Sequence, residues 1–492
     1  MTGRAVRILK RTALVVVVVA VTLVAARIFE TQRGPPLRHW HTYVPHELTV
    51  AELERTDWAG YLQAEATLFD RLGTEMRTGL ESEDRTPSNR FFEGSPIYPG
   101  KFKQDWNRSY VLEPDGPPLG AVVLLHGLTD SPYSLRHIAR RYRAAGWVAV
   151  AIRLPAHGTV PGALSSVRWE EWQAATRVAV REARRRAGPA TPLHMVGFSN
   201  GGALAVMYAL DALGDAQMAR PDRIILISPM IGITSFARFA GIAGLPALLP
   251  SFAKAAWLGV MPEFNPFKYN SFPVNGATQA HRLTRELQDR IARYSRDGRL
   301  GQLAPILTFQ SALDFTVHTR AIVNGLYAQL PSNGSELVLF DINRAALFSP
   351  LLRSSMETIL ERMLPEPPRN FRTTIITNGG PKASEEVERI TEAGQVTDRT
   401  RPLGLFYPAD VFSLSHVALP FPPGDALYGL QPDGSEDFGI NLGAMAGRGE
   451  HGALLVSLDT LLRVSSNPFF PYLMERIEEG IVPRQADDAP SK

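Results

Sequence analysis

The sequence predicts an α/β fold: a mostly parallel central sheet flanked by helices, with an inserted helical cap and a transmembrane helix in front. Three observations point there. Short apolar runs alternate with helical stretches from about Pro96 onward, the pattern of parallel strands joined by crossover helices. One of those runs ends in a Gly-rich turn that opens directly into a helix. The first 29 residues join a basic cluster to an apolar stretch.

Bulk properties set the frame. With 492 residues, 45% hydrophobic and 21% charged, the chain can bury a large core, as one domain with insertions or as two. A net charge of +3 argues against nucleic acid, and the REARRR run at Arg181–Arg186 reads as a solvated helix end. The absence of cysteine excludes disulfides, thiolate catalysis, Cys-ligated zinc and a lipoprotein anchor. No H-E-x-x-H, no Asp/His cluster and no phosphate-loop signature occurs, so neither a metal nor a cofactor is expected. Nothing in the sequence speaks to oligomeric state.

At the N-terminus, Arg4, Arg7, Lys10 and Arg11 precede Thr12–Phe29. As a helix this apolar stretch would be about 27 Å long, near one hydrocarbon thickness. Arg27 falls where a long side chain snorkels to the interface. The preceding positive charge keeps the N-terminus cytoplasmic and sends the rest outward, to the periplasm or cell exterior. The competing reading is a signal peptide cleaved near Val24-Ala25-Ala26, which would release a secreted protein. Residues 30–95 read as a linker and a membrane-proximal helix. Glu30–Pro45 is polar and Pro-containing, Thr49 with Glu52 forms a capping box, and Trp58, Tyr61, Leu62, Phe69 and Leu72 recur at helical spacing, on a helix that packs on the domain or lies near the membrane.

Residues 96–483 form the main domain. Its strands are expected at Ala121–Leu125, Trp147–Ile152, Leu193–Val196, Arg223–Ser228, Pro305–Phe309, Glu336–Phe340, Thr373–Thr377 and Leu403–Phe406. Helices are expected at Ser134–Ala145, Arg168–Ala187 and Gly201–Leu213. The block 234–303 is too long for a simple connection and reads as a cap, charged and helical around His281–Arg293. The polar tail 484–492 reads as disordered.

The chemistry centres on Gly197-Phe198-Ser199-Asn200-Gly201. It follows the strand LHMV and precedes the helical run GGALAVMYAL, the strand–turn–helix context of a nucleophile elbow. Glycines at 197 and 201 remove Cβ atoms that would clash in so sharp a turn. An acyl-transfer site also needs donors aimed at the developing oxyanion. The backbone N–H groups of Asn200 and of Leu128, in the loop after AVVLL, fill that role. His126 reads as a packed structural histidine, and His157 as a shaper of its loop. Trp169 and Trp172 read as helix-face packing.

The triad partners follow the nucleophile in the order acid, then histidine. Asp314, just past the PILTF strand, fits the orienting acid, with Asp341 at the end of ELVLF as its rival. His416, in a late loop, fits the base. His318 lies too near Asp314 to come from a separate loop, and His451 sits in a Gly-rich polar stretch. In this scheme His416 takes the Ser199 proton and later activates water, while Asp314 fixes the imidazole tautomer.

Three motifs, HGLTDSPYS (126–134), RLPAHGT (153–159) and GFSNGG (197–202), resemble the lysophospholipase and monoacylglycerol-lipase branch of the α/β-hydrolases, also called serine-aminopeptidase-like. The resemblance covers roughly residues 96–430. It implies an α/β-hydrolase fold with a helical cap, a triad of Ser199, Asp314 and His416, and an oxyanion hole at Leu128 and Asn200. Relatives usually carry the histidine a few tens of residues after the acid; here it comes 102 residues later. Residues 343–402 therefore look like a second insertion, bearing an extra helix and strand. The expected activity is hydrolysis of carboxylic esters, with a lipid or other hydrophobic acyl group favoured by the apolar cap. Peptide or amide hydrolysis by the same triad is the alternative, and a non-catalytic binder on the same scaffold is a third.

Overall fold

Apolar runs of five or six residues bounded by Gly, Pro and polar turns pair as buried strands. The computed structural model describes residues 3–232, 250–314, 316–346, 358–380, 383–445 and 463–481. Its strands are β1 (Tyr110–Leu112), β2 (Gly120–Leu125), β3 (Trp147–Ile152), β4 (Leu193–Phe198), β5 (Arg223–Ile227), β6 (Trp257–Gly259), β7 (Phe272–Pro273), β8 (Ile306–Ser311), β9 (Glu336–Phe340), β10 (Arg372–Asn378), β11 (Glu385–Thr391) and β12 (Asp398–Phe406). Among the described residues ten of them form one sheet in the order β1-β3-β2-β4-β5-β8-β9-β10-β11-β12, and β6 with β7 makes a small antiparallel pair. From β3 to β10 every pairing is parallel; β1 at one edge, and β11 and β12 at the other, run antiparallel. Strands β2, β3 and β4 are buried along their whole length, as a sheet covered on both faces requires.

The helices are α1 (Gly3–Arg33), α2 (Val50–Arg55), α3 (Trp58–Gly79), α4 (Arg136–Ala144), α5 (Trp169–Ala187), α6 (Asn200–Gly214), α7 (Val274–Arg296) and α8 (Phe470–Glu478), besides shorter turns. One core packs α5, α6 and α7 against one face of the sheet through Trp172, Val178, Leu204, Met207 and Leu283. A second packs α4 and α8 against the other through Tyr142, Leu473 and Ile477. The REARRR run ends α5, and its charges are used internally: Arg185 and Arg186 both pair with Glu182, and Arg181 donates to the carbonyls of Leu53 and Thr56.

The helix over 58–79 packs on the domain, with Trp58 and Tyr61 in the first core, whereas the stretch before it departs from the expected linker. The capping box forms, with Thr49 N–H donating to Glu52 at 2.8 Å. Yet Trp40 and His41, within the stretch expected as a linker, are buried, and His41 Nε2 lies 3.0 Å from Ser271 Oγ. Arg153, on the loop after β3, is sunk beneath α3 and bridges Glu47 and Glu65. A buried guanidinium needs such partners to offset its lost hydration, and only the folded chain brings them together.

Among the described residues no helix is long and apolar enough to cross a membrane. Within α1 the longest unbroken run of described side chains is residues 10–19, so the full apolar stretch 12–29 lies partly outside the described residues. Leu14 to Val19 are 50–63% exposed, without a protein surface to cover them.

Residues 234–249 of the expected cap lie outside the described residues; the remainder contributes the β6–β7 pair and α7, which starts well before the expected His281. In 343–402, residues 347–357 and 381–382 are likewise outside. What is described there holds a short helix, Ile359–Met363, and three strands rather than one. β11 is absent from the sequence reading because EEVERIT looks charged. Its side chains alternate between exposed and buried, which suits the antiparallel edge of a sheet. The tail 484–492 also lies outside the described residues.

A buried ionic cluster ties the segment after His416 to α4. Asp425 accepts from Arg136 and His137, each at 2.8 Å, from Tyr133 O–H at 2.9 Å, and from the amides of Leu427 and Tyr428. The Arg136 and Asp425 side chains are both fully enclosed. Asp425→Ala takes one carboxylate from Arg136, which keeps Glu436 at 3.0 Å, and leaves Tyr133 and His137 without their acceptor, so it is expected to cost about 2–3 kcal/mol, read as a lower urea midpoint. An unchanged midpoint would show that the cluster does not hold this segment.

Candidate active site

Ser199 with Asn200, the Leu128 loop and Asp314 follow the carboxyl ends of the parallel strands β4, β2 and β8, where open α/β sheets place their ligands, while His416 comes from the loop after β12. Ser199 follows β4. Its φ of +53° lies in the left-handed region that L-residues avoid, and the turn is held there by neighbours. Ser199 N–H donates to Ile227 O at 3.0 Å, and Ser199 O accepts from Gly202 N–H and Met230 N–H at 3.0 and 2.9 Å. The flanking glycines are obligatory. A Cβ on Gly197 would stand 2.4 Å from Gly201 O, and one on Gly201 would stand 1.9 Å from Leu125 O.

The loop after β2 passes beside the same turn. His126 Nε2 accepts from Leu154 N–H at 3.0 Å, which leaves Nδ1 to carry the proton toward Gly127 O at 2.9 Å. Burial pushes this imidazole well below its usual range, so it stays neutral and braces the loop, a structural role. Asp130 caps the loop by accepting from Gly127 N–H at 3.4 Å, and burial pushes its carboxyl up to about 6. The N–H groups of Leu128 and Asn200 donate to no backbone carbonyl among the described residues.

Asp314 and His416 meet despite their distance in the chain. His416 Nδ1 lies 2.9 Å from Asp314 Oδ2, and both side chains are almost wholly enclosed, at 5% and 0% exposure. Asp314 Oδ1 accepts from the amides of Thr316 and Val317 at 2.8 and 3.0 Å. Burial by itself would raise this carboxyl, but His416 and the two amides outweigh it and hold it below the usual carboxylate range. The imidazole packs against the Phe198 ring, centroids 5.3 Å apart, next to Ser199. Among the described residues no hydrogen bond joins Ser199 Oγ to His416. In unliganded enzymes such contacts commonly tighten only when substrate is bound.

The rivals fall elsewhere. Asp341 pairs with Arg344 and accepts from Thr377 Oγ1 at 2.8 Å. His318 is exposed at the start of a helix. His451 lies outside the described residues. Gln310, unremarked in the sequence reading, donates from Nε2 to Asp314 Oδ2 at 3.1 Å. Its signal was a polar residue at the buried end of the PILTFQS run. Trp172 packs fully buried, donating to Pro155 O, and His157 lies within the same loop at 3.0 Å from Pro155 O.

Strand order, elbow and acid–histidine pair define an α/β-hydrolase, and the protein is a hydrolase. Residues 116–344 match the family model described as serine aminopeptidase, S33, and the chain is similar to this monoacylglycerol-lipase-like branch. The match spans Ser199 and Asp314 and ends before His416. A thermostable monoacylglycerol lipase of Bacillus sp. (strain H-257) is 26% identical over 205 residues, covering 41% of this chain and 72% of that protein. Two solved structures are similar in fold. One comes from work on LipS and LipT, metagenome-derived lipolytic enzymes, with 23% identity, coverage of 52% and 95%, and a TM-score of 0.38. The other is the Paleococcus ferrophilus monoacylglycerol lipase, with 17% identity, coverage of 52% and 97%, and a TM-score of 0.35.

Proposed function

We propose that this protein hydrolyses carboxylic esters through an acyl-enzyme on Ser199, with His416 as general base and Asp314 as its orienting acid. The observation that carries the reading is the buried His416–Asp314 contact, 102 residues apart in the chain, formed beside the strained turn that presents Ser199. The imidazole takes the hydroxyl proton as Ser199 attacks the acyl carbon. The N–H groups of Leu128 and Asn200 receive the charge that develops on oxygen. The imidazolium gives that proton to the alcohol as the ester C–O bond breaks; water then enters, the neutral imidazole takes its proton as it attacks the acyl-enzyme, and the proton returns to Ser199 Oγ as the acid leaves.

The relative's substrate, a monoacylglycerol, supports a hydrophobic acyl group here. The family description favours a second reading, peptide or amide hydrolysis, with the same residues. A series of p-nitrophenyl esters of increasing chain length, set against aminoacyl p-nitroanilides, separates the two. Ester turnover is expected to exceed amide turnover, and the opposite ranking would reject the esterase.

We also propose that the apolar part of α1 anchors the protein in a membrane with the hydrolase domain outside the cytoplasm. The exposed Leu14–Val19 surface and the preceding basic residues support this. Full-length protein is expected to stay in the membrane fraction through an alkaline carbonate wash. Its release into the supernatant would rule the anchor out.

A further inference from the structure

The imidazole reaches Asp314 by a detour. Strand β9 pairs with β8, and Phe340 stands opposite Ser311, so the segment leaving β9 already lies one strand from the acid. That segment, Asp341-Ile342-Asn343-Arg344-Ala345-Ala346, contains no histidine. The chain instead adds β10, β11 and β12 and then returns along residues 407–416 to the strand ends. The returning stretch has no strand partner among the described residues, so its position must come from single contacts.

Asn343 makes three of them, more than any other described residue. It is 1% exposed. Its N–H donates to Phe412 O at 2.8 Å, and its Nδ2 donates to Val411 O at 2.9 Å and Pro408 O at 3.3 Å. Its Oδ1 accepts from Ala345 N–H at 3.0 Å and from Asn378 Nδ2 at 3.2 Å. One side chain thus joins the returning loop to β9 and to β10. Tyr407 O–H adds a bond to Asp341 O at 2.8 Å. Ser311 Oγ secures Leu414 O at 2.8 Å, two residues before the imidazole.

We propose that Asn343 is a positioning residue for the catalytic base, clamping the loop so that His416 meets Asp314 and faces Ser199. The proposal rests on the reading of His416 as base. Displacement of a catalytic group by about 1 Å costs on the order of 100-fold in rate, and an unclamped loop permits at least that.

The test compares Asn343→Asp, which keeps the shape and Oδ1 but cannot donate to the two carbonyls, with Asn343→Ala. Both are assayed on a p-nitrophenyl ester, with active sites counted by fluorophosphonate labelling. The expected result is a cooperative melt in both variants, kcat per active site lowered about 30- to 100-fold, and KM within about threefold of the parent, because substrate contacts are untouched. Fluorophosphonate labelling should slow in parallel with kcat. A folded variant with kcat within twofold of the parent overturns the proposal. So does loss of cooperative melting in both variants, which would make Asn343 a folding residue. Equal losses in kcat and in affinity, with KM raised as far as kcat is lowered, would also overturn it. His416→Ala, run alongside, keeps the two readings apart: parental turnover there rejects His416 as base, whereas loss there with parental Asn343 variants rejects the clamp alone.

Discussion

Ser199→Ala is expected to lower kcat by about 10⁵- to 10⁶-fold, the loss seen when a triad nucleophile is deleted, and to abolish fluorophosphonate labelling. Nothing structural should be lost with the hydroxyl. The turn is held by Ser199 backbone groups bonded to Ile227, Gly202 and Met230, and alanine is no more strained at φ +53° than serine. Stability should therefore change by no more than about 0.5 kcal/mol, so a collapse of turnover with an unchanged urea midpoint isolates the chemical role. Residual rate above water, about 10³- to 10⁴-fold, would report the oxyanion donors and substrate binding. Mass spectrometry of the labelled parent should place the adduct on Ser199. An adduct on another serine, or turnover retained by the variant, would remove the basis of the mechanism.

Asp314→Asn should cost about 10⁴-fold in kcat, because an amide in place of the carboxylate favours the wrong imidazole tautomer and cannot stabilise the imidazolium. Here the loss is compounded by Gln310, whose Nε2 donates to the same Oδ2 that receives His416 Nδ1. An amide nitrogen at that position would face two donors. Asp341→Asn should leave kcat within about tenfold, since Asp341 engages Arg344 and Thr377 rather than the imidazole. The reverse ranking would reassign the acid. Because the native Asp314 carboxyl is held below its usual value, it remains ionised at neutral pH. Its share of folding stability is complete above the unfolded carboxylate range near pH 4 and is lost as pH falls through the lower native value. Inactivation between pH 5 and 7 in the parent would thus belong to another group.

How much of this was legible beforehand follows from what kind of interaction sets each feature. Strands β2 and β3 are continuous apolar runs and β4, β8 and β9 are largely apolar, and a run of that kind is a local property. The elbow is local in part: Gly197 is demanded by Gly201 O within the same turn, whereas Gly201 is demanded by Leu125 O at the end of β2. The charged strand β11 was not legible, because its pattern has meaning only against β10 and β12. The seating of His41 on the domain was hidden for the same reason, since its partners Trp257 and Ser271 lie more than 200 residues away.

Sequence by itself therefore determined the fold class and pointed to Ser199 as the candidate nucleophile with a candidate acid and base after it, from the sterics of a tight turn and from hydrophobic periodicity. Tertiary structure alone set Asp314 rather than Asp341 against His416, brought His416 back across three added strands, and placed Gln310 and Asn343 beside them. Those outcomes depend on which carbonyls and carboxylates become neighbours once the sheet closes, and pairings between residues a hundred positions apart leave no periodic trace in a single chain.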